Sequence, residues 1–116
     1  ANVKMKNGTA FDVRLVDCVG YMIPGVIGNM EDGKERMVST PWDDEKISFS
    51  KAAEIGTHKV ITDHAIIGVV VTTDGSFGDL ARENYVDAER KAINQLKELH
   101  KPFVIVLNSA YPQNDA

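Results

Sequence analysis

The chain has 116 residues, the size of one small domain, with 13 basic and 17 acidic side chains and a net charge of -4. This charge gives no overall attraction to nucleic acid or to anionic lipid, so we expect no nucleic-acid partner. One cysteine excludes an internal disulfide, and no apolar run has the length of a membrane-spanning helix. A cytoplasmic location is the simplest expectation.

The first predicted strand covers residues 11–16 and leads into Asp17, Cys18, Val19 and Gly20. An aspartate and a glycine at D-x-x-G spacing after a strand are typical of P-loop nucleotide hydrolases, in which the aspartate helps to hold Mg²⁺ near the phosphates. Asp17 is therefore the candidate catalytic and metal-holding residue, and Gly20 is a candidate nucleotide-binding residue. The alternative from the residues alone is an ordinary turn at the end of a strand, since so short a motif also occurs by chance.

The loop that cradles the phosphates in such enzymes, G-x-x-x-x-G-K-[ST], follows an earlier strand, but only ten residues lie before the predicted strand here. We therefore expect a segment of a larger domain, with the phosphate loop upstream. Residues 28–35 come close to the loop pattern but end in Glu35, where a hydroxyl is needed. A carboxylate there adds negative charge beside the phosphates, so we reject this match.

The stretch at residues 19–47 is predicted to be irregular, because Pro24, Gly25 and Pro41 interrupt it. Loops longer than about 15 residues in a small domain are usually functional or disordered, and a nucleotide-responsive switch is the functional interpretation. Within this loop, Trp42 is predicted to be a buried anchor, because aromatic surface of this size is normally buried.

The second half of the chain alternates helical and strand patterns. Ser48 or Ser50 is a candidate N-cap, and the β-branched run at residues 66–73 is typical of a strand covered on both faces. An apolar stripe before Pro102 predicts the clearest helix of the chain. The predicted elements are helix 50–64, strand 66–73, helix 82–100 and strand 103–108.

This order predicts an α/β fold with a mostly parallel sheet of three strands and two crossover helices. Ligands bind at the carboxyl ends of the strands in such sheets, and Asp17 and Asn108 each lie at such an end. A receiver domain is a competing α/β interpretation, but it fits poorly, because receivers need five strands and an acidic pair after the first one.

The most specific signal lies in six blocks of sequence, including Val-Asp-Cys-Val-Gly-Tyr-Met at residues 16–22 and Thr-Thr-Asp-Gly-Ser-Phe-Gly-Asp at residues 72–79. The other blocks are residues 40–42, 51–57, 59–64 and 82–85. Together they resemble the stage IV sporulation protein A family. The resemblance implies a morphogenetic ATPase of endospore-forming bacteria, related to translation-factor GTPases, that polymerises around the forespore as the base layer of the spore coat.

By this resemblance the fold is a partial, GTPase-like P-loop NTPase domain whose central P-loop strand is missing. Asp17 resembles the Walker B aspartate, which holds Mg²⁺ through a water, and Gly20 would present its N–H to the γ-phosphate of ATP. The implied partners are other copies of the chain, other spore coat proteins and a membrane-surface anchor reached through further domains. The implied location is the mother-cell side of the forespore surface, and the segment alone is expected to be inactive.

Asn108 occupies the position at which GTPases carry N-K-x-D, but the sequence here continues with Ser109, Ala110 and Tyr111. The missing aspartate is the group that reads guanine, so its loss leaves the donors of guanine unmatched and permits adenine. Asn108 is therefore a candidate nucleotide-binding residue. Tyr111 either stacks on a base or simply packs near the end of the chain.

Two functions remain open from the sequence: an ATP hydrolase that drives its own assembly, and a non-catalytic assembly module that acts through its surface. One structural consequence follows from the missing strand, which in the implied fold separates residues 11–16 from residues 66–73. We predict that these two strands either pair directly or accept a strand from another copy of the chain.

Overall fold

The chain begins with a hairpin of two short antiparallel strands, β1 (Asn2–Lys4) and β2 (Ala10–Asp12). The structure is a computed structural model, and it describes residues 1–25, 30–31, 34–41 and 43–114. The hairpin turn contains Gly8 with φ of +88°, a conformation that glycine adopts without strain. The side chains of both strands are exposed. Local pairing therefore holds this hairpin together.

The predicted strand at residues 11–16 is wrong beyond Asp12. The ladder ends where Asn2 pairs with Asp12, and residues 13–23 have no regular secondary structure. A strand needs a hydrogen-bonding neighbour, and β1 is too short to provide one past this point. Along the same edge, the Val13 N–H and carbonyl bond to the backbone of Ala1.

The prediction of an irregular loop across residues 19–47 is also wrong from residue 30 onward. Two short strands, β3 (Met30–Glu31) and β4 (Lys34–Glu35), pair antiparallel, and a second hairpin pairs β5 (Met37–Thr40) with β6 (Asp43–Ser48). These strands are held by immediate neighbours in sequence, which a search for long apolar runs does not detect. The tryptophan anchor at residue 42 and the glycines of the rejected phosphate-loop match lie outside the described residues.

The first helix, α1 (Phe49–Lys59), has Ser48 as its N-cap, and Ser48 Oγ accepts the Lys51 N–H at 3.3 Å. It continues into a π-helical turn at Val60–His64, so that regular structure ends at His64, as in the predicted helix 50–64. The carboxyl end of this turn is capped by Lys101. Its Nζ donates to the carbonyl oxygens of Thr62 at 3.0 Å and Ala65 at 2.6 Å, and also to that of Ile61.

The remaining elements form a β-α-β unit. Strand β7 (Gly68–Thr73) pairs in parallel with β8 (Phe103–Asn108), and α2 (Val86–Glu98), preceded by a 3₁₀ turn at Arg82–Asn84, connects them. Leu96 of α2 is 3% exposed and packs against Ile61 and Val70. A Cβ added at Gly68 would lie 2.7 Å from Leu96 Cδ2, so glycine allows this close approach of helix and strand.

Within residues 1–25, 30–31, 34–41 and 43–114, the expected three-stranded parallel sheet does not form. Among the residues that the structure describes, every sheet has two strands, and β7 with β8 is the parallel pair. Residues 11–16 and 66–73 do not pair with each other, so that alternative is wrong. The second alternative, pairing with a strand of another copy, stays a prediction because one chain does not test it.

The β7–β8 pair is covered by α2 on one face, so the expectation that residues 66–73 are covered on both faces is wrong for this chain. On the opposite face the register aligns two pairs of valines, which are between 46% and 70% exposed. We call this surface the valine face; it consists of Val69, Val71, Val104 and Val106. In this chain no described element packs over it.

Candidate functional site

A cleft of about 430 Å³ separates residues 16–21 from α1, α2 and β7. Its lining is mainly apolar and includes every residue of β7 from Gly68 to Thr72. Consecutive residues of a strand point to opposite faces, so a cleft lined by all of them runs along the strand edge. This is the edge of β7 that has no partner strand among the described residues. The cleft therefore has the position of an additional strand.

Asp17 lies at the rim of this cleft with an exposed side chain, and its Oδ1 accepts the Cys18 N–H at 2.9 Å. In the described part of the chain no three His, Cys, Asp or Glu side chains come together as a metal site. A single accessible carboxylate suits Mg²⁺, which takes one or two carboxylates and completes its shell with waters and substrate phosphates. The donor set therefore fits Mg²⁺ and does not fit a metal held by protein ligands alone.

Gly20 lines the same cleft, and its backbone is bound by Thr57 of α1. The Gly20 N–H donates to Thr57 Oγ1 at 2.9 Å, and the Thr57 hydroxyl donates to the Gly20 carbonyl at 3.1 Å. Thr57 is 3% exposed, and Gly20 has φ of +79°. The N–H that was predicted to contact a phosphate is thus bound to a buried hydroxyl in this structure, and its phosphate role stays a prediction.

The next residue, Tyr21, connects the segment to both helices. Its hydroxyl donates to Gln95 Oε1 on α2, and Gln95 Nε2 in turn contacts His58 Nδ1 on α1. Partial burial raises the pKa of the Tyr21 hydroxyl, and the nearby Glu54 carboxylate and Cys18 add to this. The phenol of Tyr21 therefore stays protonated and can donate its hydrogen bond to Gln95. The imidazole of His58, which contacts Gln95, is the third member of this row of polar groups.

The carboxyl ends of β7 and β8 are joined by Asp74. Its Oδ1 accepts both the N–H of Ser76 at 2.9 Å and the hydroxyl of Ser76 at 2.5 Å, and its Oδ2 accepts the Ser109 hydroxyl at 2.5 Å. Ser76 Oγ accepts the Ala110 N–H at 2.8 Å. These bonds, with that from Ser109 first, hold the pKa of the Asp74 carboxyl below its usual value. They fix the loop that follows Asn108.

Asn108 itself is exposed, and its carbonyl accepts the Asp74 N–H at 3.3 Å. It does not line the cleft that Asp17 and Gly20 share. The structure therefore brings together two of the three predicted site residues and leaves the third at the end of the neighbouring strand.

A second polar cluster contains Thr72 and Glu89, which line the cleft, and Arg82. Thr72 donates to Glu89 Oε2 at 2.8 Å, and Arg82 Nη1 donates to the same oxygen at 2.6 Å and to Thr72 Oγ1 at 3.2 Å. The hydrogen bond from Arg82 lowers the pKa of the Glu89 carboxyl, with a smaller effect from Thr72. This cluster anchors the start of α2 to the end of β7 and gives the apolar cleft one polar wall.

All 116 residues match the family model described as stage IV sporulation protein A, ATPase domain. The chain belongs to this family. Stage IV sporulation protein A of Clostridioides difficile (strain 630) is 51% identical over 113 residues, which cover 97% of this chain and 23% of that protein. The protein of that name from Bacillus subtilis (strain 168) is 51% identical over 111 residues, and that from Bacillus anthracis is 47% identical over 111 residues. In both cases the match covers 96% of this chain and 23% of the relative.

These relatives confirm the family that the six sequence blocks predict. The chain spans 23% of the length of the curated stage IV sporulation proteins that it matches. No solved structure matches the chain. Within the residues that the structure describes, none of the helices has the length and apolar character needed to cross a membrane.

Sequence reasoning on this member of the stage IV sporulation protein A family missed Thr57, Glu89 and Lys101. Thr57 carried a detectable signal, because it lies four residues after Ala53 and three before Val60, on the predicted packed face of the helix. A polar residue on a buried stripe needs a hydrogen-bonding partner, and here that partner is Gly20. Lys101 gave no signal, because the carbonyls that it caps lie about 40 residues earlier in the chain.

Proposed function

We propose that the chain forms part of the nucleotide-binding domain of a P-loop ATPase, with Asp17 and Gly20 facing the phosphates. The observation that carries this proposal is the cleft along the unpaired edge of β7, because Asp17 and Gly20 both lie on its rim. A strand seated along this edge would lie between β7 and the segment that carries Asp17 and Gly20. In α/β sheets ligands bind at the carboxyl ends of the strands, where a phosphate loop would then lie.

In this proposal Asp17 would help to hold Mg²⁺ through a water, and the bound metal would supply positive charge beside the phosphates of ATP. Gly20 supplies a backbone N–H without a side chain that would obstruct a phosphate. At the other strand end, Asp74 fixes the loop after Asn108, and Tyr111 occupies the position at which an N-K-x-D motif has the aspartate that reads guanine. The chain's own residues therefore suit adenine at one end and phosphates at the other.

The purpose that we infer for hydrolysis is self-assembly of the base layer of the spore coat, on the mother-cell side of the forespore. The family membership supports a role in sporulation. Further domains outside this chain would contact other coat proteins and a membrane-surface anchor. Hydrolysis needs the phosphate loop, so this chain alone is expected to be inactive.

The deciding experiment measures ATP turnover by the full-length protein with Asp17→Ala. We expect a loss on the order of 100-fold, because a group that positions charge in the active site is removed. The matched control is Asp79→Ala, an exposed aspartate in the loop after β7, which is expected to leave turnover unchanged. Full turnover in the Asp17 variant would refute the proposed site.

A non-catalytic assembly module is the second candidate, and the valine face favours it. Contiguous exposed apolar surface commonly marks a contact with another protein. If this function is the correct one, Val104→Thr with Val106→Thr, two residues of the valine face that do not line the cleft, abolishes polymer formation in sedimentation assays while Asp17→Ala leaves it intact. The reverse result supports the ATPase.

A further inference from the structure

We propose that Thr57 is a positioning residue that lowers the preference for a nucleoside triphosphate over a diphosphate. Its hydroxyl competes with the terminal phosphate for the Gly20 N–H. The proposal rests on the proposed function, in which that N–H faces the phosphates. It assigns to a buried helix residue a role that the D-x-x-G motif alone does not reveal.

The hydroxyl of Thr57 makes two hydrogen bonds to one residue, Gly20. It accepts the Gly20 N–H at 2.9 Å and donates to the Gly20 carbonyl at 3.1 Å. Thr57 is 3% exposed, so water does not readily replace either bond. The two bonds together fix the orientation of the Gly20 backbone.

The backbone at Gly20 is suited to this arrangement for conformational reasons. Its φ of +79° lies in the left-handed region that glycine adopts freely. A Cβ built at this position would meet nothing within 4 Å, so lack of space does not explain the glycine. The backbone conformation that presents both polar groups to Thr57 does explain it.

A phosphate oxygen is the stronger competitor for the same donor. Hydrogen bonds to a charged acceptor are roughly twice as strong as those between neutral groups. One N–H makes one well-aligned hydrogen bond, so a terminal phosphate that takes it must break the bond to Thr57. A diphosphate has no phosphate at this position and leaves the bond intact. Thr57 therefore opposes binding of the triphosphate only.

The helix is irregular directly after Thr57, where release of the Thr57 side chain from Gly20 would have its effect. The Val60 N–H is shared between the Gly56 and Thr57 carbonyls, and the π-helical turn Val60–His64 begins at this residue. Such turns occur frequently at functional sites. Release of Gly20 is therefore expected to loosen residues 57–64.

The test compares Thr57→Val with Thr57→Ser in the full-length protein, because valine keeps the shape and removes the hydroxyl whereas serine keeps the hydroxyl. Calorimetry gives the Kd of a non-hydrolysable ATP analogue and of ADP. We expect Thr57→Val to bind the analogue about three- to tenfold more tightly, the effect of one lost competing bond, with ADP affinity within about twofold of wild type. Thr57→Ser is expected to match the wild type.

A purely structural role of Thr57 would move both affinities together, so equal changes in the two Kd values overturn the proposal. An unchanged or weakened affinity for the analogue alone also overturns it. If wild-type protein binds neither nucleotide, the proposed function itself fails, which is a distinguishable result.

Should Thr57→Val fail to fold, Thr57→Ala and a measurement on unaltered protein take its place. In hydrogen exchange, peptides covering residues 57–64 are expected to exchange faster with the ATP analogue than with ADP. Equal exchange rates in the two complexes count against release of Thr57.

Discussion

The amino-terminal segment, residues 1–25, and the helix–strand unit, residues 49–108, are held together in different ways. The buried apolar side chains of the described residues, Ala53, Ile61, Val70 and Leu96, all belong to the helix–strand unit. The amino-terminal hairpin has only exposed side chains and local backbone pairing. Asp17 and Gly20 therefore lie on a segment without a core of its own, attached to a unit that has one.

This difference shows which contacts position the residues of the candidate site. The segment is attached through Gly20 to Thr57 and through Tyr21 to Gln95, so a few hydrogen bonds decide where Asp17 lies. The loop after Asn108 is instead fixed from within the unit by Asp74. The loop after Asn108 is thus fixed within the helix–strand unit, whereas the segment that carries Asp17 and Gly20 depends on its contacts with that unit.

The largest effect on stability is expected from a substitution in the core of the helix–strand unit. Leu96→Ala removes a side chain that is 3% exposed and is expected to lower the free energy of unfolding by about 2–5 kcal/mol. The matched control is Leu15→Ala in the amino-terminal segment, where the leucine is 83% exposed, with an expected change below about 0.5 kcal/mol. Urea denaturation measures both, and equal effects would remove the distinction between the regions.

A smaller effect is expected from the cap on the π-helical turn. Lys101→Met keeps the aliphatic stem but removes the ammonium group that donates to the carbonyls of Thr62 and Ala65, at an expected cost of about 1–3 kcal/mol. Lys97→Met, on the exposed side of α2, is the control and is expected to be neutral. Thermal melts that do not separate the two variants would show that Lys101 contributes nothing as a cap.

The smallest effect concerns pH. The pKa of Glu89 is lowered from 4.5, mainly by the hydrogen bond from Arg82, so its contribution to stability is present above pH 4.5 and is lost as pH falls through the lowered value. Glu89→Gln should therefore lose less stability than wild type between pH 7 and pH 3. Asp87→Asn is the control, because Asp87 is exposed and lies 3.9 Å from Arg90. Urea midpoints at the two pH values test this, and parallel behaviour of all three proteins would contradict it.

The sequence predicts the helix–strand unit better than the amino-terminal segment, for a physical reason. Strand 103–108 has the observed bounds, and the helices are recognisable, because long apolar patterns with a fixed period record which face is buried. The short strands at residues 2–4 and 10–12 carry no such pattern. The strand predicted at residues 11–16 is wrong beyond Asp12, because the ladder with β1 ends where Asn2 pairs with Asp12.

The candidate site likewise has features that the sequence predicts and features that it does not. Asp17 and Gly20 share the cleft because the D-x-x-G spacing is local in sequence. Thr57 reaches Gly20 across 37 residues and Lys101 reaches Ala65 across 36 residues, so these contacts exist only once the chain is packed. No local pattern records them.

The valine face has a practical consequence for anyone who prepares this chain. Four branched apolar side chains in register form a surface that water wets poorly, so concentrated samples should self-associate. The tendency should increase with ammonium sulfate and decrease on cooling, as hydrophobic association does. Threonine in place of Val71 and Val106 would make the strand pair easier to keep in solution without disturbing the ladder.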